Sequence, residues 1–137
     1  MKSVYQTRFG GSDAPEIEQG NCMAACLASL FEVGFEDVPD FAGEIVGSGW
    51  YFTLQDWLRA RNLYMLLLTA PASEAPRGWC MAGVDSETLP NPDDGHMVVL
   101  FNGEVIHDPN PRAKRGRDDY VIKDYWVFTV LDPGKMT

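Results

Sequence analysis

Three residues far apart in the chain have the types and settings of a thiol active site: Cys22, His96 and Asp108. Cys22 follows the turn-forming pair Gly20-Asn21 and opens a stretch to Phe31 with no charged residue, four of its positions being Ala24, Ala25, Ala28 and Ser29. A helix that is apolar nearly all round is a buried, central one. A cysteine in its first turn sits among unpaired backbone N–H groups at the positive end of the helix dipole, which lowers a thiol's pKa. Thiol chemistry also needs a base and a group that orients the base. His96, opening a strand after a tight turn, supplies the first. Asp108, ending the next strand, holds the imidazole in the correct tautomer.

The hairpin between them tests this. Residues 96–101 and 104–107 flank Asn102-Gly103, the strongest short-range hairpin signal. A regular two-residue turn pairs Phe101 with Glu104 and puts Asp108 opposite Met97, on the wrong face from His96. A three-residue loop pairs Leu100 with Glu104 and sets His96 opposite Asp108, about 5 Å apart at Cβ. The triad therefore predicts the longer loop, or a bend at Asp108-Pro109.

An oxyanion needs two donors. The Cys22 N–H is one, and Gln6 or Gln19 is the candidate for the second. His107 alternates with Asp108 and reads as structural or substrate-facing, and as the base in another register. Trp50, in its glycine-flanked loop, is placed to wall a cleft. Arg112, Lys114, Arg115 and Arg117 form a basic run in an acidic chain. This reads as a solvated loop, or more sharply as a flap in which Arg112 and its neighbours recruit an anionic group. Cys26 and Cys80 read as core. Zinc held by Cys22, Cys26, His96 and His107 is the weaker alternative, because Cys-x-x-x-Cys within an apolar helix fits zinc spacing poorly. No metal or other cofactor is expected.

A glutamine, then Gly-Asn-Cys22 opening a small-residue helix, then His96 on a strand and Asp108-Pro109 after the next, resembles the papain-like cysteine peptidase superfamily. The order and the Asp-Pro ending are most similar to its bacteriocin-leader-processing peptidases. The segment 20–41, with Asp37-Val38-Pro39, is also similar to small phage and bacterial proteins. The resemblance implies a papain-like fold with Cys22 as nucleophile, His96 as base and Asp108 as orienter, acting on a peptide or protein substrate. It extends to deamidases, acyltransferases and members without catalysis. The superfamily's glutamine lies six residues before the cysteine, where this chain has Glu16.

Elements must position these groups. A short strand is expected over 1–9, the buried helix over 22–33 ended by Gly34, and a turn with two apolar anchors over 36–41. Loop follows over 43–49. Thr53 and Asp56 form a capping box opening a second helix to about residue 62. Strands follow over 63–69 and 79–84 around a loop at 71–78, then a turn over 89–95 containing Asp93-Asp94, the hairpin, and a last strand over 125–131. Helices first and strands later predict an α+β fold, a central N-terminal helix packed on an antiparallel sheet. The 137 residues make one domain spanning 1–137, and 45% hydrophobic residues supply its core. A formal charge of −9 disfavours nucleic acid as partner. The longest apolar run, 63–68, is too short to span a bilayer. Three cysteines without framework spacing suit a reducing, cytoplasmic setting. The rival from another class is an inert scaffold of the same fold that binds a protein, for example a phage-encoded inhibitor of a host protein.

Overall fold

The computed structural model describes residues 1–44, 48–70, 75–91 and 94–136. It is α+β: helices α1 (Cys22–Phe31) and α2 (Gly49–Arg59) precede strands β1 (Leu63–Thr69), β2 (Trp79–Asp85), β3 (Gly95–Phe101), β4 (Glu104–His107) and β5 (Ile122–Val130). The strands form one sheet in the order β1-β5-β2-β3-β4, and every neighbouring pair is antiparallel. The expected loops over 43–49 and 71–78 and the turn with Asp93 fall partly on 45–47, 71–74 and 92–93, which lie outside the described residues. Among the described residues no helix is long and apolar enough to cross a membrane.

α1 contains no glycine, proline or β-branched residue, so nothing in its sequence opposes the helix. Ala24, Ala25, Cys26, Leu27, Ala28 and Ser29 are all buried. Leu27 joins Leu54 and Leu58 of α2, Met65, Met81, Val99 and Trp126 in the core between helices and sheet. Each such side chain contributes roughly 1.5–3 kcal/mol by leaving water. The helix ends earlier than Gly34: Glu32 takes the left-handed conformation (φ 54°), and the Val33 N–H closes on Ala28 O at 3.2 Å.

Two expectations are corrected. Residues 1–9 form no strand but an extended arm along α1. There Lys2 N–H bonds Ser29 O at 3.1 Å, and the buried Ser29 Oγ accepts the Val4 N–H at 2.9 Å. α2 begins at Gly49, four residues before Thr53, whose hydroxyl donates to Glu44 Oε1 at 3.1 Å instead of capping a helix.

The hairpin turn has two residues. Asn102 (φ 50°) and Gly103 (φ 82°) are both left-handed, as a primed turn requires, and Phe101 pairs with Glu104. The expected three-residue loop is absent, but the ladder is not regular. Leu100 pairs with Val105 and Val99 with His107, leaving Ile106 as the extra residue of a β-bulge. One inserted residue exchanges the faces of everything beyond it. Continued one step, the register sets Asp108 opposite Val98, on the same face as His96 and diagonal to it.

Candidate active site

A cleft of about 390 Å³ runs between the start of α1 and the sheet end where β3 begins, with Gln6, Asn21, Cys22, Trp50, His96 and Asp108 among its walls. Cys22 is the first residue of α1, so its N–H lacks a partner within the helix. Its side chain is part-exposed, whereas Cys26 and Cys80 are buried. Burial pushes the Cys80 thiol up to about 11. Burial, and then the neighbouring Cys22 and Asp108 charges, push Cys26 up as well.

His96 is the second residue of β3. Its Nε2 lies 2.6 Å from Asp108 Oδ1, with both side chains 11% exposed. The Cys22 side chain is close enough to act on the same ring, and with Nε2 given to Asp108 the nitrogen left for the sulfur is Nδ1. Burial opposes charge on the ring, but the bond to Asp108 and the nearby Cys22 sulfur outweigh it and push His96 up to about 9. Asp108 shows the converse balance. Burial would raise its carboxyl, yet the bond to His96, the hydroxyl of Tyr120 and the Asn110 N–H hold it below the usual carboxylate value. Asp108 thus accepts from His96 and Asn110 N–H (2.9 Å) on Oδ1, and from Tyr120 Oη (2.6 Å) on Oδ2.

The two glutamines separate cleanly. Gln19 is buried away from the cleft lining; its Nε2 donates to Ala14 O at 3.2 Å and Ser12 O at 3.4 Å, and its Oε1 accepts the Gly43 N–H at 2.8 Å. It stitches loops together. Gln6 lines the cleft, carried by the arm. Its backbone N–H bonds Pro109 O at 2.9 Å, one residue past Asp108. Its Nε2 donates to Arg8 O at 3.0 Å, which leaves the second Nε2 proton unassigned. Asn21 fixes the arm there: Oδ1 accepts the Thr7 N–H (2.9 Å) and Arg8 N–H (3.1 Å), and Nδ2 donates to Thr7 Oγ1 (2.9 Å).

The remaining candidates divide. Trp50 walls the cleft from the first turn of α2 and not from a loop, stacked on Trp126 at 4.8 Å and 19°. His107 does not reach the cleft lining: it is buried, donates from Nε2 to Val4 O at 2.8 Å and packs edge-on against Tyr5, so its role is structural. Arg112 lies over the Phe9 ring at 4.3 Å, beside the cleft. The basic run is largely engaged. Arg115 grips Asp85 through Nη1 to Oδ1 (2.8 Å) and Nη2 to O (2.6 Å), and Arg117 lies 3.5 Å from Glu104. Cys22, Cys26, His96 and His107 do not converge, and among the described residues no three His, Cys, Asp or Glu side chains are grouped to hold a metal ion. Tyr120 is the site residue that sequence reasoning missed, and Arg115, read there as part of a solvated loop or anion-recruiting flap, is instead held by Asp85. Nothing local marks Tyr120, since it returns to Asp108 only after a twelve-residue excursion.

No known protein family, curated protein or solved structure matches this chain.

Proposed function

We propose that this chain is a papain-like cysteine enzyme acting on an amide or peptide bond, with Cys22 as nucleophile, His96 as base and Asp108 as orienter. The observation that carries the reading is one imidazole bonded to a part-buried carboxylate at 2.6 Å, in the same cleft as a part-exposed thiol at a helix start that acts on the same ring. That is the arrangement nucleophilic catalysis by sulfur needs.

The Cys22 sulfur attacks the carbonyl carbon while its proton resides on His96. The carbonyl electrons move to oxygen, where the Cys22 N–H and the second Nε2 proton of Gln6 are the donors. As the C–N bond breaks, His96 gives its proton to the leaving nitrogen and a thioester remains on Cys22. Water then attacks the thioester, loses a proton to His96 and releases the acid, restoring the thiol. With an amine in place of water the same cycle is acyl transfer. With ammonia leaving it is deamidation.

The test is the alkylation rate of Cys22 against pH by mass spectrometry, in wild type and His96→Ala, followed by a screen of amide substrates. Rapid reaction at neutral pH that depends on His96 supports the enzyme. Slow, identical profiles in both proteins overturn it and favour the inert protein-binding scaffold.

A further inference from the structure

A carboxylate that orients a histidine must itself be oriented. We propose that Tyr120 positions Asp108, and through it His96, as the far end of a brace running back to the strand beside the histidine; this rests on the triad reading above.

On Oδ1, Asp108 is held by His96 and by the Asn110 N–H two residues on. Both bonds act on one oxygen and leave the carboxylate free to swing about it. The Tyr120 hydroxyl, donating to Oδ2 at 2.6 Å, fixes the second oxygen and hence the plane. The tyrosine is itself clamped. The Arg115 guanidinium covers its ring at 4.1 Å, and Arg115 is held at both terminal nitrogens by Asp85. Asp85 Oδ1 also accepts the Val121 N–H at 3.0 Å, pinning the residue next to Tyr120.

Asp85 is the last residue of β2 and pairs with Gly95, while Val84 pairs with His96. The brace therefore starts one rung from His96, crosses Arg115 and Tyr120, and ends on the carboxylate that His96 needs. Both members of the His96–Asp108 pair are referenced to the same two strands, so motion of the 108–121 loop does not separate them.

The test compares Tyr120→Phe, which keeps the ring and deletes the hydroxyl, and Arg115→Lys, which keeps the charge and loses the planar fork. Three quantities are read: the rate of Cys22 alkylation by chloroacetamide at pH 7, the His96 ring titration by NMR, and thermal unfolding. Tyr120→Phe is expected to stay folded, to slow alkylation about tenfold, and to bring the His96 midpoint down toward its ordinary value of about 6.5. Arg115→Lys moves the same two readings in the same direction by less. A purely packing role for Tyr120, which the retained ring still fills, would leave the alkylation rate and the histidine midpoint in place. If His96→Ala slows alkylation while Tyr120→Phe changes neither rate nor midpoint, the brace is refuted and the triad stands. If His96→Ala also changes nothing, the triad itself has failed. Should Tyr120→Phe not fold, unchanged rate and midpoint in Arg115→Lys overturn the proposal alone.

Discussion

Oδ1 of Asp108 stands 2.6 Å from Nε2 of His96, across a hairpin whose two-residue turn by itself would place them on opposite faces. The bulge at Ile106 reconciles the two facts. It separates the faces of Val105, buried under the sheet with Leu100, and His107, buried against the arm at Val4, and it carries Asp108 round to His96. The site thus depends on an irregularity one residue long.

The ion pair makes stability depend on pH in a defined window. His96 is raised to about 9, so its contribution is complete below the unfolded value of about 6.5 and is lost as pH rises through 9. Asp108 is lowered, so its contribution is present above the ordinary carboxylate value and is lost only in acid. Wild type should therefore exceed Asp108→Asn in urea-unfolding stability most between about pH 4.5 and 6.5, with the gap narrowing by something on the order of 2–3 kcal/mol by pH 10. A gap that is flat from pH 5 to 10 would show that the pair is not charged in the folded state.

Only one of the three thiols should react in the folded protein. Burial raises Cys26 and Cys80, while Cys22 is part-exposed beside an imidazole that is cationic at neutral pH. Brief iodoacetamide treatment at pH 7 is expected to add a single label, mapped to Cys22 by peptide mass spectrometry, with Cys26 and Cys80 labelled only in denaturant. His96→Ala should slow that label at least about tenfold. Comparable labelling of Cys80 would contradict the burial of β2.

The edge strand β1 is closed along part of its length by a side chain. Gln55 of α2 donates from Nε2 to Met65 O at 3.1 Å and accepts the Met65 N–H at 3.3 Å, taking the place of a neighbouring strand. Beside it Leu66, Leu67 and Leu68 are each more than 40% exposed, with no charge anywhere in the strand. Gln55→Ala should cost about 2 kcal/mol, since it leaves both backbone groups of Met65 unsatisfied. It should also bring forward heat-induced light scattering, because an open apolar edge templates aggregation. Unchanged unfolding would mean that water replaces the amide at no cost.

The sequence made some of this legible and not the rest, for physical reasons. Strand β1 and the two arms of the hairpin follow from apolar runs bounded by turn residues, and α1 from its uncharged, small-residue stretch. Those signals are local. The bulge is not: Val105, Ile106 and His107 include no glycine to mark it, and it exists because Val105 and His107 must bury on opposite sides of the sheet. The start of α2 was hidden because Thr53 and Asp56 have the form of a capping box, while in the fold Thr53 turns to Glu44 and the helix is already a turn old. Tyr120 was invisible because its links to the site, above all the bond to Asp108, are tertiary.

The two glutamines give the sharpest separation of function from stability, because spacing alone left them equivalent and the structure does not. Gln19 spends its whole amide on three backbone groups, at Ser12, Ala14 and Gly43. The Gln6 amide ties one carbonyl, that of Arg8, and Gln6 lines the same cleft as Cys22. Removing a buried amide with three partners should cost about 2–3 kcal/mol, so Gln19→Ala is expected to unfold several degrees lower yet, while folded, to turn over substrate at the wild-type rate. Gln6→Ala should change unfolding little and reduce kcat about 10²-fold with KM nearly unchanged, as loss of a donor that acts in the transition state does. Alkylation of Cys22, which develops no oxyanion, should be unaffected in both. If Gln6→Ala keeps full turnover on an amide that wild type cleaves, the second donor lies elsewhere in the cleft, with the side-chain amide of Asn21, already engaged by Thr7 and Arg8, the poorer alternative.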